Sequence, residues 1–145
     1  MSKKIREIRI RYKLKSINGT IMRIKNRIPS KFEEFEKLDL IKDGIYKRIE
    51  FAIQSVVNIC EIINFDLSLG IPENENSIID NLKKNSIISE KLAEKLIKMK
   101  SFRNVLVHRY GEIDDKKAFG AIKKGIGDFD LFINEIEKFL VKQKR

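Results

Sequence analysis

Apolar residues in the N-terminal part of the chain recur at alternating steps of four and three positions. Such steps place side chains on one face of an α-helix. The pattern predicts a first helix from about Lys3 to Arg27, ended by Pro29 and Ser30. Lysine and arginine residues occupy the other faces of this segment. The apolar stripe consists of Ile10, Leu14, Ile17, Ile21, Ile24 and Ile28.

A second, longer apolar face lies in the middle of the chain. A short helix or helical turn is predicted at about 31–38, and a long helix from about Asp39 to Asp66. Residues 67–76 contain Gly70 and Pro72, which are typical of a loop. The apolar positions of the long helix are Ile45, Ile49, Ala52, Ile53, Val56, Cys60 and Ile63.

Capping signals mark the remaining helices. The segment Ser77–Asp80 resembles a capping box that would open a short helix from Ile78 to Lys84. Ser89 is the predicted N-cap of the next main helix. Asp114–Asp115 is the predicted N-cap of a last helix that runs to about Val141. Three glycines weaken that last helix locally, namely Gly120, Gly125 and Gly127.

These segments indicate an all-α fold, since no segment has the period of a β-strand. We expect an antiparallel helical bundle of four main helices plus one or two short helices. The 145 residues have the ordinary size of one domain, so a single domain over 1–145 is predicted. Hydrophobic residues make up 42% of the chain, which is enough for a core without disulfides or metal.

The chain is strongly basic. It has 31 lysine and arginine residues against 21 aspartate and glutamate residues, a formal net charge of +10. An excess of this size favours a polyanionic partner, RNA or DNA. The alternative interpretation is a lysine-rich genome, or a surface with many ion pairs.

Several classes of site are excluded by residue counts. With Cys60 as the single cysteine and His108 as the single histidine, neither a disulfide within the chain nor a Cys/His zinc cluster can form. No metal or other cofactor is expected. The chain has no signal peptide pattern and no run of about 20 apolar residues. We therefore expect a cytoplasmic protein without membrane contact.

Candidate chemistry is concentrated in residues 101–111. On an unbroken helix, seven positions turn by roughly 700°, so Arg103 and Tyr110 would share a face, whereas five positions turn by roughly 500° and would separate Arg103 from His108 by about 140°. Two arrangements would bring arginine and histidine together. The helix could end or distort near 107–111, with Gly111 as a left-handed cap. Alternatively, Arg103 of one chain could meet His108 of another across a two-fold axis.

This pair of side chains suits RNA cleavage without a metal, in which the 2′-hydroxyl attacks the adjacent phosphate. Histidine exchanges protons near neutral pH, and arginine stabilises charge on phosphate oxygens with a fork that stays protonated. His108 is thus the candidate acid/base and Arg103 the candidate phosphate ligand. The amide of Asn104 could orient either the phosphate or the imidazole, or could be a surface amide. Arg109 is interpreted as a solvated charge.

Two amides, Gln54 and Asn58, lie one turn apart beside the apolar face of the long helix. Buried amides need hydrogen-bond partners. A structural hydrogen bond and a place in the lining of an active-site cleft are both open for them.

The pattern Arg103-Asn104, His108, Tyr110 and then Glu112–Asp114 resembles the HepT-like family, small all-α toxins of the HEPN superfamily. Their motif is Arg, four to six residues, His, one residue, Tyr. The resemblance extends to 47–54, 87–93 and Asp128–Phe129. It implies a metal-independent endoribonuclease, active as a homodimer with its motifs at the interface. It also implies a minimal nucleotidyltransferase antitoxin that transfers AMP to Tyr110 and so inactivates the toxin.

Two other functions are considered. A non-catalytic helical module would dock a nucleotidyltransferase or hold a nucleotide, and its properties would not depend on His108. A DNA-binding regulator is the weakest hypothesis, because the basic residues are spread over several helices without a helix-turn-helix signature.

Overall fold

The predicted all-α fold is confirmed by a computed structural model, which describes residues 4–144. This range contains α-helices and a single 3-10 turn, without any strand. Lys3, where the first helix was predicted to begin, lies outside the described residues. The elements are α1 (Glu7–Arg27), α2 (Phe32–Glu36), α3 (Leu40–Asp66), α4 (Glu75–Lys84), α5 (Glu90–His108), the 3-10 turn (Tyr110–Glu112), α6 (Asp115–Gly125) and α7 (Asp128–Gln143).

Helix α3 lies at the centre of the bundle and packs against α1, α4 and α5. Ion pairs show that neighbouring helices run in opposite directions. Arg6, which precedes α1, pairs with Asp66 at the end of α3, while Lys25 near the end of α1 pairs with Asp130 at the start of α7. Within residues 4–144, none of the helices combines the length and the apolar character that a membrane span requires.

The core is built from the predicted apolar stripes. All residues of the α1 stripe from Ile10 to Ile24 are buried, and so is the predicted apolar face of α3. The side chains without any exposed surface include Ile17, Ile59, Ile63, Phe132 and Ile136. Apolar burial at these positions is the main source of stability, at about 25 cal/mol for each Å² removed from water.

The single long C-terminal helix was a wrong prediction. The chain divides at Ile126 and Gly127 into α6 and α7, and α7 ends at Gln143. Gly125 and Gly127 disfavour a continuous helix. Packing also separates the two parts, because α6 contacts α2 whereas α7 contacts α1 and α5. Four main helices are therefore accompanied by three short ones, α2, α4 and α6, rather than by one or two.

The predicted capping box at Ser77–Asp80 was also wrong. The N-cap of α4 is Asn74, whose side chain accepts a hydrogen bond from the Ser77 amide at 2.9 Å, and Ser77 Oγ accepts one from the Asn74 amide at 3.1 Å. Ser77 is thus the third helical residue and not the cap. The helix begins at Glu75, within the segment 67–76 that the sequence predicts to be a loop. The predicted N-caps Ser89 and Asp114 are confirmed.

Candidate active site

Arg103 lies in α5 and its side chain is only 12% exposed. Its guanidinium contacts three elements. Nη2 donates to Glu75 Oε1 of α4 at 2.9 Å, and Nη1 donates to Gln54 Oε1 of α3. Nη2 also donates to Asn104 Oδ1 at 3.2 Å. A guanidinium held by so many acceptors is fixed in orientation before any substrate arrives.

A second layer of contacts holds these acceptors. Gln54 Nε2 donates to Asn58 Oδ1 at 2.9 Å, so the two amides take part in a structural hydrogen bond and also reach the candidate site. The ammonium of Lys100 lies 3.9 Å from Glu75 Oε1 and donates to the Asn76 side chain. Glu75 therefore faces two cations. A phosphate that binds at Arg103 would have to compete with this carboxylate.

His108 is the last residue of α5 and is exposed. Its imidazole makes no hydrogen bond or ion pair within the described range, 4–144. The helix closes behind it, where the Arg109 amide donates to the Val105 carbonyl at 2.9 Å. The imidazole is consequently accessible to an RNA strand from solvent.

The predicted end of the helix near 107–111 is confirmed, since α5 ends at His108, but this end does not bring Arg103 and His108 onto one side of the helix. Helix α5 is α-helical from Glu90 through His108, so the two side chains diverge by about 140° around its axis. The predicted left-handed cap at Gly111 is wrong as well, because Gly70 is the glycine with positive φ in the described part of the chain, and Gly111 lies in the 3-10 turn. Tyr110 also lies in that turn, so it no longer shares a helix face with Arg103.

Tyr110 stands in a separate shallow pocket of about 220 Å³ and remains 45% exposed. Its hydroxyl donates to the carboxylate of Asp43, and its ring packs edge-on against Tyr46 with centroids 6.2 Å apart. Partial burial, the hydrogen bond to Asp43 and the negative charge of that carboxylate raise the pKa of Tyr110 to about 12. The phenol is therefore protonated at neutral pH. The pocket is lined by Asp43, Tyr46, Lys47, Glu50, Leu106 and Tyr110.

Tyr46, which lines this pocket, is held by a partly buried polar contact. The Tyr46 hydroxyl donates to Asp115 Oδ1 at 2.6 Å, and Lys42 Nζ donates to Asp115 Oδ2 at 2.8 Å. Burial alone would raise the pKa of Asp115, but the hydrogen bonds from Lys42 and Tyr46 outweigh burial and hold that pKa below its usual value. Asp115 is thus ionised and ties α3 to the start of α6.

The described residues contain no group of three or more His, Cys, Asp and Glu side chains that could hold a metal ion. Cys60 is buried, and burial raises the pKa of its thiol to about 12, so it is a structural residue and not a nucleophile. Sequence reasoning missed Glu75, Asp43 and Asp115 as members of the site. No signal in the sequence joined them to Arg103, Tyr110 or Tyr46.

This chain is similar to known proteins over most of its length. A model of the ribonuclease HepT-like family matches residues 17–136. The mRNA nuclease HepT of Shewanella oneidensis is 26% identical over 122 residues, which are 82% of this chain and 92% of that protein. The tRNA nuclease HepT of Aphanizomenon flos-aquae is 26% identical over 93 residues, 64% of this chain and 63% of that one.

The fold also matches a solved structure, the tri-AMPylated Shewanella oneidensis HEPN toxin in complex with MNT antitoxin. The TM-score is 0.80 at 26% identity, and the match covers 89% of this chain and 96% of that chain. The family match spans most of the helical bundle and includes Arg103, His108 and Tyr110. This chain therefore belongs to the ribonuclease HepT-like family.

Proposed function

We propose that this protein is the toxin of a toxin–antitoxin pair and that it cleaves RNA with Arg103 and His108. The proposal rests on how these two side chains are placed in a chain that belongs to a ribonuclease family. The guanidinium is held in place by Gln54 and Glu75, and the imidazole is exposed and unbonded within residues 4–144. The net charge of +10 suits an RNA substrate. One domain spanning 1–145 would contain all of these groups.

The proposed reaction is an internal transfer at phosphorus. The 2′-oxygen forms a bond to the adjacent phosphorus, and the bond from phosphorus to the 5′-oxygen breaks. His108 accepts the proton of the 2′-hydroxyl, and the imidazolium then gives a proton to the leaving 5′-oxygen. Arg103 stabilises the negative charge that builds on the phosphate oxygens. Asn104 accepts from Arg103, so we assign it the role of orienting the guanidinium.

A homodimer would bring Arg103 of one chain to His108 of the other. Helix α5 alone keeps these groups apart, so the chemistry requires a second α5. Two exposed apolar side chains flank the site and suit such a contact. Phe51, one turn before Gln54 on α3, is 52% exposed, and Val107, one turn after Arg103 on α5, is 47% exposed.

We further propose that a minimal nucleotidyltransferase is the antitoxin and that Tyr110 accepts AMP. The phenol oxygen would bond to the α-phosphorus of ATP, and pyrophosphate would leave. Because the pKa of Tyr110 is raised to about 12, the oxygen needs a proton acceptor, and the Asp43 carboxylate already receives its hydrogen bond. The attached AMP would place bulk and negative charge two residues from His108 and would repel substrate phosphates. RNA and ATP are both present in the cytoplasm, which we propose as the location.

Tyr110→Phe is expected to abolish AMP transfer, because the phenylalanine ring has no oxygen that can attack phosphorus. Incorporation of α-labelled ATP is measured with a purified minimal nucleotidyltransferase that labels the wild-type chain. Tyr12→Phe is the matched control, since Tyr12 is 75% exposed on α1 and lies outside the pocket of Tyr110. Equal labelling of wild type and Tyr110→Phe would disprove the assignment.

The purified protein is expected to cleave total RNA in the presence of EDTA. Neither the imidazole nor the guanidinium needs a metal for its proposed role. Product sizes are compared with and without the chelator after incubation of equal amounts of protein. RNA that stays intact, or cleavage that disappears in EDTA, would contradict the proposed mechanism.

The ion pair between Arg103 and Glu75 favours a second candidate function, a non-catalytic binding module. A guanidinium neutralised by a carboxylate at 2.9 Å is a common structural contact. In such a module His108 would have no role. Expression in cells separates the two functions, because the proposed toxin is harmful and the module is not.

A further inference from the structure

An open groove of about 1210 Å³ lies along the C-terminal half of α3, beyond the residues of α3 that contact Arg103. It is formed by the start of α1, the C-terminal half of α3 and the loop that follows α3. Neither the proposed chemistry nor the proposed modification uses it. We call it the basic groove. The lining residues that bear on ligand binding are Lys4, Arg9, Lys13, Asn58, Phe65 and Ile71.

Three cations of the basic groove have no partner among the described residues. Lys4, Arg9 and Lys13 make no ion pair or hydrogen bond within residues 4–144. Arg6 also lines the groove, but it is paired with Asp66 at 2.9 Å and their charges cancel. Glu61 is the other carboxylate in the lining, and its single negative charge leaves an excess of positive charge in the groove. Cations without partners are available to phosphates at little cost.

The basic groove also presents an aromatic ring. Phe65 is 77% exposed, and the guanidinium carbon of Arg6 lies 5.8 Å from the centre of its ring, so that the Arg6–Asp66 pair supports the ring. An exposed ring beside free cations is the combination that binds single-stranded nucleic acid, with bases stacked on the ring and phosphates at the cations. Ile71 is 97% exposed and adds apolar surface at the same edge.

The far wall of the groove is preformed. Asn64 is buried, accepts a hydrogen bond from Asn81 at 3.0 Å and donates one to the Gly70 carbonyl at 3.0 Å. Gly70 has a φ of 137°, a conformation that other residues rarely adopt. These contacts fix the loop opposite α1, so the groove exists before a ligand binds.

Asn58 connects the basic groove to the candidate active site. It lines the groove and accepts a hydrogen bond from Gln54, which in turn accepts one from Arg103. From Asn58, the groove follows α3 to Phe65, seven residues or about 10 Å further along the helix. A strand that leaves Arg103 in this direction reaches the aromatic ring first and the cations of α1 beside it.

We propose that the basic groove binds a single-stranded segment of the substrate RNA next to the cleavage point, with a base on Phe65 and phosphates at Arg9 and Lys13. This inference rests on the proposed RNA cleavage. Substrate preference would then depend on unpaired nucleotides beside the cut, because a duplex hides the faces of its bases.

The test measures binding of a fluorescein-labelled oligouridylate of about 20 nucleotides by anisotropy. The protein carries His108→Ala, so that the RNA stays intact. The double variant Arg9→Ala with Lys13→Ala is expected to raise the dissociation constant about tenfold. It should also make the negative slope of log K against log salt shallower by about 1.4, since each lost phosphate contact accounts for about 0.7. Phe65→Ala, at an exposed position, is expected to raise the constant about tenfold with the salt slope unchanged.

Arg23→Ala with Arg27→Ala is the matched control. These two arginines are also four residues apart on α1, exposed and without an ion pair in the range 4–144, but they lie outside the groove. If both double variants lost affinity equally, the loss would follow from net charge alone and the inference would be overturned. Unchanged affinity of the Arg9→Ala, Lys13→Ala protein would also overturn it. A changed elution volume of the groove variant alone would assign the groove to a protein contact and also overturn it.

The failure of this inference and that of the proposed function are distinguishable. Anisotropy requires no cleavage, so it reports on the basic groove alone. Wild-type protein that leaves RNA intact contradicts the proposed function, whereas equal binding by the two double variants contradicts the groove.

Discussion

Replacing His108 with alanine is expected to lower the rate of RNA cleavage by between about 10² and 10⁴ fold, the usual contribution of a positioned acid/base group. Histidine is the side-chain type that exchanges protons near neutral pH, and His108 is the single histidine of the chain, while burial raises the pKa of the Cys60 thiol. The remaining rate would come from Arg103, which stabilises phosphate charge without moving protons. The measurement is the initial rate on a labelled RNA at matched protein concentration.

The His108→Ala protein should keep its fold, because the imidazole is exposed and makes no hydrogen bond or ion pair within 4–144. Surface substitutions of this kind change stability by about 0.5 kcal/mol or less. Arg109→Ala is the control, since it removes the next exposed side chain while the histidine stays. A His108→Ala protein that cleaves RNA at the wild-type rate would exclude the proposed mechanism, because cleavage would then not depend on the imidazole.

Helix periodicity made most of the bundle predictable. The stripe from Ile10 to Ile24 is buried as a unit because steps of four and three residues place its side chains on one face of the helix, and that face packs against the core. The division between α6 and α7 could not be predicted in the same way. Apolar positions keep their register across Gly125 and Gly127, and only the separate partners of the two helices show where the chain breaks.

The candidate site was predictable only in its rare residues. A single histidine and a nearby arginine stand out in any sequence, but acidic residues are common, and nothing local marks the ones that matter. Glu75 is 28 residues from Arg103, and Asp43 is 67 residues from Tyr110. Such pairs are created by the packing of α4 against the C-terminal part of α5 and of α3 against the 3-10 turn that follows it, long-range contacts that periodicity does not encode.

The structure shows that Glu75 is a partner of Arg103, which could not be predicted from the sequence. Glu75 became part of the site because α4 begins at Glu75, with Asn74 as its N-cap, and not at Ile78, so that its carboxylate lies in the first helical turn and contacts Arg103. In the free protein the guanidinium is thus both oriented and neutralised. Under the proposed mechanism, the substrate phosphate would displace part of this contact, and binding and alignment of RNA would be coupled at Arg103.

Mixed dimers of Arg103→Ala and His108→Ala chains are expected to regain activity that neither variant has alone. In a two-fold dimer whose sites each join Arg103 of one chain to His108 of the other, the mixed dimer contains one site with both groups and one site with neither. It should therefore cleave RNA at about half the wild-type rate per dimer. Each pure variant should stay at least about a hundredfold below wild type.

The two chains are co-expressed with different affinity tags, and the mixed dimer is isolated by purification on both tags in sequence. Its rate is compared with those of the two pure variants and of a mixed dimer of wild-type chains carrying the same tags. If Arg103 and His108 of the same chain formed the site, every site in the mixed dimer would lack one group and the dimer would be inactive. Because α5 is regular from Glu90 to His108 and keeps the two side chains about 140° apart, the geometry of a single helix already argues against that outcome.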